Sequence, residues 1–321
     1  MIALIFLILK LFDRGLVILE AIDWQPIETI LTKLKKSKGR PEKYTSIAKL
    51  KVLLYGFANN KHSALAIVRA ISKPFVARIL GLEELPSHDT ILRFWKSLEP
   101  VIEEIFQELV RQNIRPGIIK GSIQAIDSTS IETKFIKSDK DAKWSYDETK
   151  KAYYFGYGLL VIFDCLTQLP IAALFTKSKK VCYKEIRSVW QTLTIIPKKL
   201  FGDGEFDIID FHKRLMKQGI FPVILYNPRN TKQPLKIKYR IQQFNSKLKT
   251  EKLDEEYDYR AEAEHGFSTL KLHFGLENLH VKGWDKVKVH VFLCLTVRLV
   301  HAIAVHKNFP GTSVTKTISV L

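Results

Sequence analysis

Residues 121–130, GSIQAIDSTS, mark the point where the chain changes character. Ile123, Ala125 and Asp127 alternate with their neighbours, the period-two pattern of a half-buried strand, and the strand is expected to end at the acid. Upstream, residues 20–118 show apolar residues at helical spacing. Downstream, YYFGYGLLVIFD (153–164) and LPIAALFTK (169–177) read as two long apolar strands joined by CLTQ, a hairpin. YKEIRSVWQTLTII reads as a helix, KLFGDGEFD as a short strand entering a Gly-bounded acidic turn, IIDFHKRLMKQG as a helix stopped by Gly219, and FPVILY as a strand. The order β-β-β-α-β-α-β predicts an α/β fold around one mixed sheet with flanking helices.

The N-terminal part predicts a helical region. In IDWQPIETILTKL, Asp23 is a candidate N-cap and Pro26 lies in the first turn. TSIAKLKVLLYGFA, SALAIVRAI and SKPFVARILGL follow as helices. Ser87 is expected to cap LPSHDTILRFWKSL, and Pro100 to open PVIEEIFQELVRQ. Short helices joined by basic turns, KKSKGRPEKY among them, suit either a helix-turn-helix-like DNA-binding module or a plain bundle. The domain reading is therefore 1–118 helical and DNA-binding, 119–309 a second domain, and 310–321 a tail.

Composition narrows the partners. Lys and Arg total 51 against 33 acids, a formal charge of +18. Such a surface attracts polyanions. Residues 228–252 carry eight basic residues and one acid, with Tyr239 and Phe244 interleaved; this fits a phosphate backbone or a solvated charge run. Three scattered cysteines exclude a zinc knuckle and a disulfide framework and fit a reducing compartment. The opening run MIALIFLILKLF stops at Lys10 and reads as a buried helix or strand. VKVHVFLCLTVRLVHAIAVHK, interrupted by Arg298 and His301, reads as a buried helix, so no membrane partner is expected.

Residues 257–276, YDYRAEAEHGFSTLKLHFGL, decide the chemistry. At about 100° per residue, Tyr257, Arg260, Glu264 and Lys271 share one narrow stripe, and Ala263, Phe267, Leu270 and Phe274 form an adjoining apolar one. Glu262 falls near +140° by the same rule and is expected to face solvent. Arg260 and Glu264 are spaced for an ordinary (i, i+4) ion pair. Asp127 and Asp203 change that reading. If their strands are neighbours, the helix could bring Glu264 between them. Three carboxylates suit two Mg²⁺ or Mn²⁺ ions and in-line phosphoryl displacement. Asp164, Glu205, Asp207 and Asp210 are rivals, with turn or helix-start roles available to Asp164, Asp207 and Asp210.

The spacing Tyr257-x2-Arg260-x3-Glu264-x6-Lys271 resembles the Y-R-E-K signature of the DDE transposases of bacterial and archaeal insertion sequences, the class that includes the four and five types. AIDST, KDAKW with KAYYFGYGLLVIFD, LFGDGEFD, GRPEKY and LPSHDTILRFWKSL resemble further family motifs, so the likeness spans roughly residues 20–307. It implies an RNase H-like core with Asp127, Asp203 and Glu264 as catalytic metal ligands for two Mg²⁺ or Mn²⁺. It implies DNA contacts from Tyr257, Arg260 and Lys271, and Arg229 and Lys232 of the basic loop join them. It implies end cleavage followed by strand transfer, terminal inverted repeats and target DNA as partners, a homodimer in the synaptic complex, and a cytoplasmic, nucleoid-associated location. A nuclease without strand transfer and a non-catalytic DNA-binding derivative are the alternatives. One departure stands out: relatives often carry Lys or Arg where this chain has Gly158, and NPRNTK is the expected substitute source of charge. Asp203 and Glu264 are only 61 positions apart, which leaves no room for a large inserted β domain.

Overall fold

The computed structural model describes residues 13–34, 42–148, 150–225, 227 and 257–315. The opening apolar run, most of the basic turn at 35–41 and the basic loop at 228–256 lie outside them. The chain divides into two compact units: one gathers the residues up to Ile118, Glu132–Ala142 and Thr269 onward, the other Ile119–Ile131 and Lys143–Ser268.

In the first unit, helices α1 (Arg14–Glu20), α2 (Trp24–Leu31), α3 (Ser46–Ala58), α4 (Ala64–Ala70), α5 (Pro74–Ile79), α6 (His88–Ser97) and α7 (Ile102–Ile114) follow in order. Asp13, Asp23, Thr45, Ser63 and Ser87 cap five of them through side-chain oxygens that accept orphan amides. The second unit contributes α8 (Tyr183–Gln191) and α9 (Ile209–Lys217), while α10 (Ala261–Phe274) crosses the division at 268/269. The last helix, α11 (Trp284–Asn308), belongs to the first unit, where α1, α3, α6 and α7 surround it. Trp95 Nε1 donates to the Lys286 carbonyl at 3.0 Å, and Phe106 meets Phe292 edge-on at 5.6 Å.

α11 is long and apolar enough to cross a membrane, yet 94% of its apolar window is buried inside the protein. A helix apolar on all sides needs cover on all sides. The N-terminal helices supply it, so the residues from Thr269 onward group with those up to Ile118.

The second unit is built on one mixed sheet. Its strands are β1 (Ile123–Glu132), β2 (Lys143–Asp147), β3 (Ala152–Asp164), β4 (Leu169–Thr176), β5 (Lys199–Gly202) and β6 (Phe221–Ile224). The order is β2-β3-β1-β5-β6, with β4 also paired to β3. β3 runs antiparallel to both β2 and β4, whereas β5 runs parallel to β1 and to β6. The α8 and α9 crossovers supply the connections that parallel strands require. This is the RNase H-like arrangement that the sequence resemblance implies. Ile126, Leu160, Ile162, Leu200, Phe206, Phe211 and Trp190 fill the core between sheet and helices.

β2 is one strand more than the sequence pattern predicts. Its sequence, KWSYD, leaves Lys143, Trp144 and Tyr146 exposed, so it lacks the apolar content by which the other strands are read. Helix α8 also stops at Gln191, short of the expected TLTII.

Candidate active site

The parallel β1–β5 ladder pairs Ile126 with Gly202. The residue that follows each of these is an aspartate, so the register brings Asp127 and Asp203 to neighbouring positions on adjacent strands. β1 does not end at Asp127, as its pattern suggests; it runs five residues further, to Glu132. What ends there is β5, which turns at Asp203 into the 3₁₀ turn Gly204–Phe206. Asp203 Oδ1 caps that turn by accepting the Glu205 amide at 2.9 Å. Asp127 Oδ1 accepts the Ser128 amide at 2.8 Å.

Glu205 links the two strands. Its Oε2 accepts the Ser128 hydroxyl at 3.2 Å, and its Oε1 accepts the Val181 amide at 3.2 Å. A carboxylate that appears in sequence only as a rival to Asp203 thus braces the segment beside Asp127.

The opening of the decisive helix is not α-helical. Asp258–Arg260 form a 3₁₀ turn and α10 begins at Ala261. Tyr259 packs at a tilt against Phe201 with ring centroids 5.8 Å apart, and Phe267 meets Phe163 edge-on at 5.0 Å. Gly266 is required at this contact, because a Cβ there would lie 2.7 Å from the Phe163 ring. Ala263, Phe267, Leu270 and Phe274 are all buried, as their stripe predicts. Glu262 is only partly open to solvent. It accepts a 2.7 Å hydrogen bond from Gln168 Nε2, and its side chain is 28% exposed against 52% for Glu264. Uniform 100° phasing fails here because the first turn is tighter than an α-helix, and because the turn after β3 approaches the Glu262 face.

Glu264 pairs with Arg260, Oε1 to Nη1 at 2.5 Å. The guanidinium also lies 5.6 Å from the centre of the Tyr257 ring. The Tyr257 hydroxyl is buried with no hydrogen-bond partner.

The electrostatics tie these groups together. Burial, then the negative charges of Asp203 and Glu264, push the Asp127 carboxyl up to about 7, against the Ser128 amide and the Lys179 charge. Burial likewise raises Asp203, with the Glu205 amide, Arg260 and Lys179 pulling it back. Glu205 is raised by burial and by Asp203. The Tyr257 phenol is pushed up to about 12, first by burial and then by Asp203, Glu264 and Asp127.

Lys179 acts on three of these carboxylates and is a residue that the sequence reading missed. A Cβ at Gly158 would lie 1.9 Å from the Ser178 carbonyl oxygen, so no side chain fits there. The same backbone segment presents Lys179, whose amide donates to Tyr154 Oη at 2.7 Å and whose Nζ reaches Asp147 at 2.9 Å. The only sequence signal was the run KSKK after β4.

The remaining candidates sort by their partners. Asp164 is buried and accepts from the Gly121 amide and the Thr167 hydroxyl, a turn role. Asp207 is buried between His212 and the Asn227 amide, and Asp210 is exposed at the start of α9. Lys271 pairs with Glu277 at 2.7 Å. Arg229 and Lys232 lie outside the described residues. Oxygen-only donors suit a hard divalent cation. Among the described residues, however, no three such side chains already converge on one metal position. Asp127 and Asp203 are adjacent, and Glu264 is held by Arg260.

Two family models match the chain: a transposase DDE domain over residues 119–300 and a transposase domain (DUF772) over residues 14–97. A probable transposase for insertion sequence element ISH11 of Halobacterium salinarum is 30% identical over 286 residues, 86% of this chain and 85% of the relative. Among solved structures, a piggyBac transposase synaptic complex with hairpin DNA overlaps with a TM-score of 0.46 at 11% identity, covering 96% of this chain and 79% of that one. A pre-cleavage Mos1 transpososome overlaps with a TM-score of 0.20 at 10% identity, covering 73% and 78%. These distant overlaps add nothing to the sheet topology already described.

Proposed function

The chain belongs to the family of transposases with a DDE domain, and on that premise we propose that it cuts the ends of an insertion sequence and joins them to target DNA, with Asp127, Asp203 and Glu264 as the catalytic carboxylates. The observation that carries this assignment is the β1–β5 register, which makes Asp127 and Asp203 neighbours, and it is supported by the packing of Phe267 of α10 on Phe163 of β3.

The reaction runs in two displacements. Water attacks a phosphodiester at the element end, the P–O3′ bond breaks, and a 3′-hydroxyl is released. That hydroxyl then attacks a target phosphodiester; a new P–O bond forms and the target's own 3′-oxygen leaves. Two Mg²⁺ or Mn²⁺ ions, held by the three carboxylates, would supply Lewis-acid stabilisation to both steps. The chain's own residues position and compensate. Glu264 leaves Arg260 to join the aspartates, and the freed guanidinium takes up a DNA phosphate, for which its planar fork is suited. The unpartnered Tyr257 hydroxyl offers a second donor, and Lys271 and the basic loop with Arg229 and Lys232 extend the phosphate contacts. Glu205 and Ser128 keep the two aspartates in register.

The helical region would recognise the terminal inverted repeats, two copies of the chain would pair the two ends, and the protein would act in the cytoplasm at the nucleoid. The test is a Mg²⁺-dependent nicking and joining assay on supercoiled DNA carrying the element's inverted repeats. Wild type is expected to nick and join; Asp203→Ala is expected to do neither. Equal nicking by both would remove the triad assignment, and nicking with no joined product would favour a nuclease.

A further inference from the structure

The β2–β3 hairpin carries a face that the proposed chemistry leaves unused. Trp144 pairs across the strands with Phe155, and Tyr146 with Tyr153. Because side chains two apart share a side of the sheet, all four rings lie on one face. Their centroids are 5.5 and 5.1 Å apart within the pairs. Trp144, Tyr146 and Tyr153 are 59, 47 and 73% exposed, which is costly to leave in water without a use. On the opposite face, Tyr154 and Asp147 are buried. The exposed charges of the hairpin are Lys143, Lys150 and Lys151 against Glu148, a positive rim.

The hairpin is also joined to the acidic site. Asp147, at the end of β2, accepts from the Ser130 hydroxyl at 3.2 Å, three residues beyond Asp127 on β1 and about 10 Å along the strand. Asp147 accepts from Lys179 as well, the cation that acts on Asp127, Asp203 and Glu205.

We infer that this face is a stacking platform for unpaired DNA bases next to the scissile phosphate. Exposed aromatic faces with a basic rim bind bases without sequence preference, since every base offers a π-face. A self-interface fits less well, because lysine is depleted from protein–protein contacts and three lysines line this hairpin. The inference rests on the transposase reading for the identity of the polymer and for the place of the scissile phosphate.

The test uses the full chain without divalent metal and follows fluorescence anisotropy with labelled oligothymidine and with a blunt duplex. The double variant Trp144→Ala/Tyr153→Ala is expected to bind the single strand at least about 10-fold more weakly and the duplex within about twofold of wild type. Trp144→Phe/Tyr153→Phe is expected to keep single-strand binding. Equal losses on both DNAs, or no loss on either, would overturn the platform. So would sedimentation showing a wild-type dimer that the double variant breaks in the absence of DNA. Where the double variant unfolds, Tyr153→Ala alone gives the same readings, as its ring is the most exposed. A parallel cleavage assay separates the two ideas. Single-strand binding that depends on the aromatics, with no Mg²⁺-dependent cleavage by wild type, leaves the platform standing and removes the strand-cleavage reading; cleavage without that dependence does the reverse.

Discussion

Ser128 Oγ donates to Glu205 Oε2 across 3.2 Å, tying the residue after one aspartate to the residue two beyond the other. Glu205→Ala removes the acceptor for both Ser128 and the Val181 amide. A loss of about 1–3 kcal/mol is expected in urea unfolding. Nicking should fall by more than the stability loss explains, while affinity for element ends in metal-free buffer stays near wild type. Glu205→Gln, which keeps an acceptor for the Val181 amide, should recover most of the stability. An Ala variant with full nicking activity would show the brace to be dispensable.

The Arg260–Glu264 pair is partly exposed and one helical turn apart, so it contributes little to folding, roughly 0.5 kcal/mol. Arg260→Ala is therefore expected to shift the unfolding temperature by no more than a degree or two, the scale of that energy, yet to weaken cleavage strongly. A large thermal shift with intact cleavage would identify the pair as structural.

Gly158 has no space for a side chain. Gly158→Lys should destabilise by about 3 kcal/mol or more because backbone must move. Soluble, active Gly158→Lys protein would show that the Ser178 segment yields easily. Lys179→Ala, in contrast, should fold and lose activity.

His62 and His290 are buried against each other and Phe57, with ring centroids 5.8 Å apart for the histidine pair. Burial pushes their imidazoles down to about 4 and about 3; nearby Lys61 and His280 act in the same direction on His62, as do His62 and His280 on His290. Both stay neutral in the fold while the unfolded chain protonates near 6.5. Stability is thus full above pH 6.5 and falls as pH drops toward 4 and 3. Between pH 7 and pH 5 the loss is roughly 2 kcal/mol per histidine. Urea midpoints at the two pH values measure it, and His290→Gln should flatten the dependence.

Much of the fold is legible in the amino-acid sequence. Period-two alternation placed β1, long apolar runs placed β3 and β4, caps placed α2 and α6, and the Tyr257–Lys271 spacing singled out Glu264. These features follow from local backbone geometry and from apolar residues repeating at the period of their element. Glu262 shows where local periodicity stops. Its partial cover depends on Gln168, 94 positions away.

Sequence alone determined most of the strands and helices, though not β2, together with the apolar stripe of α10 and the identity of the acids, because each rests on residues a few positions apart. Tertiary structure decided which acids are neighbours. Only the parallel register of β1 with β5 sets Asp127 beside Asp203, and only the approach of Ser178 to Gly158 brings Lys179 to the site. Pairing across distant segments is fixed by packing and backbone hydrogen bonding between strands, which no local pattern encodes.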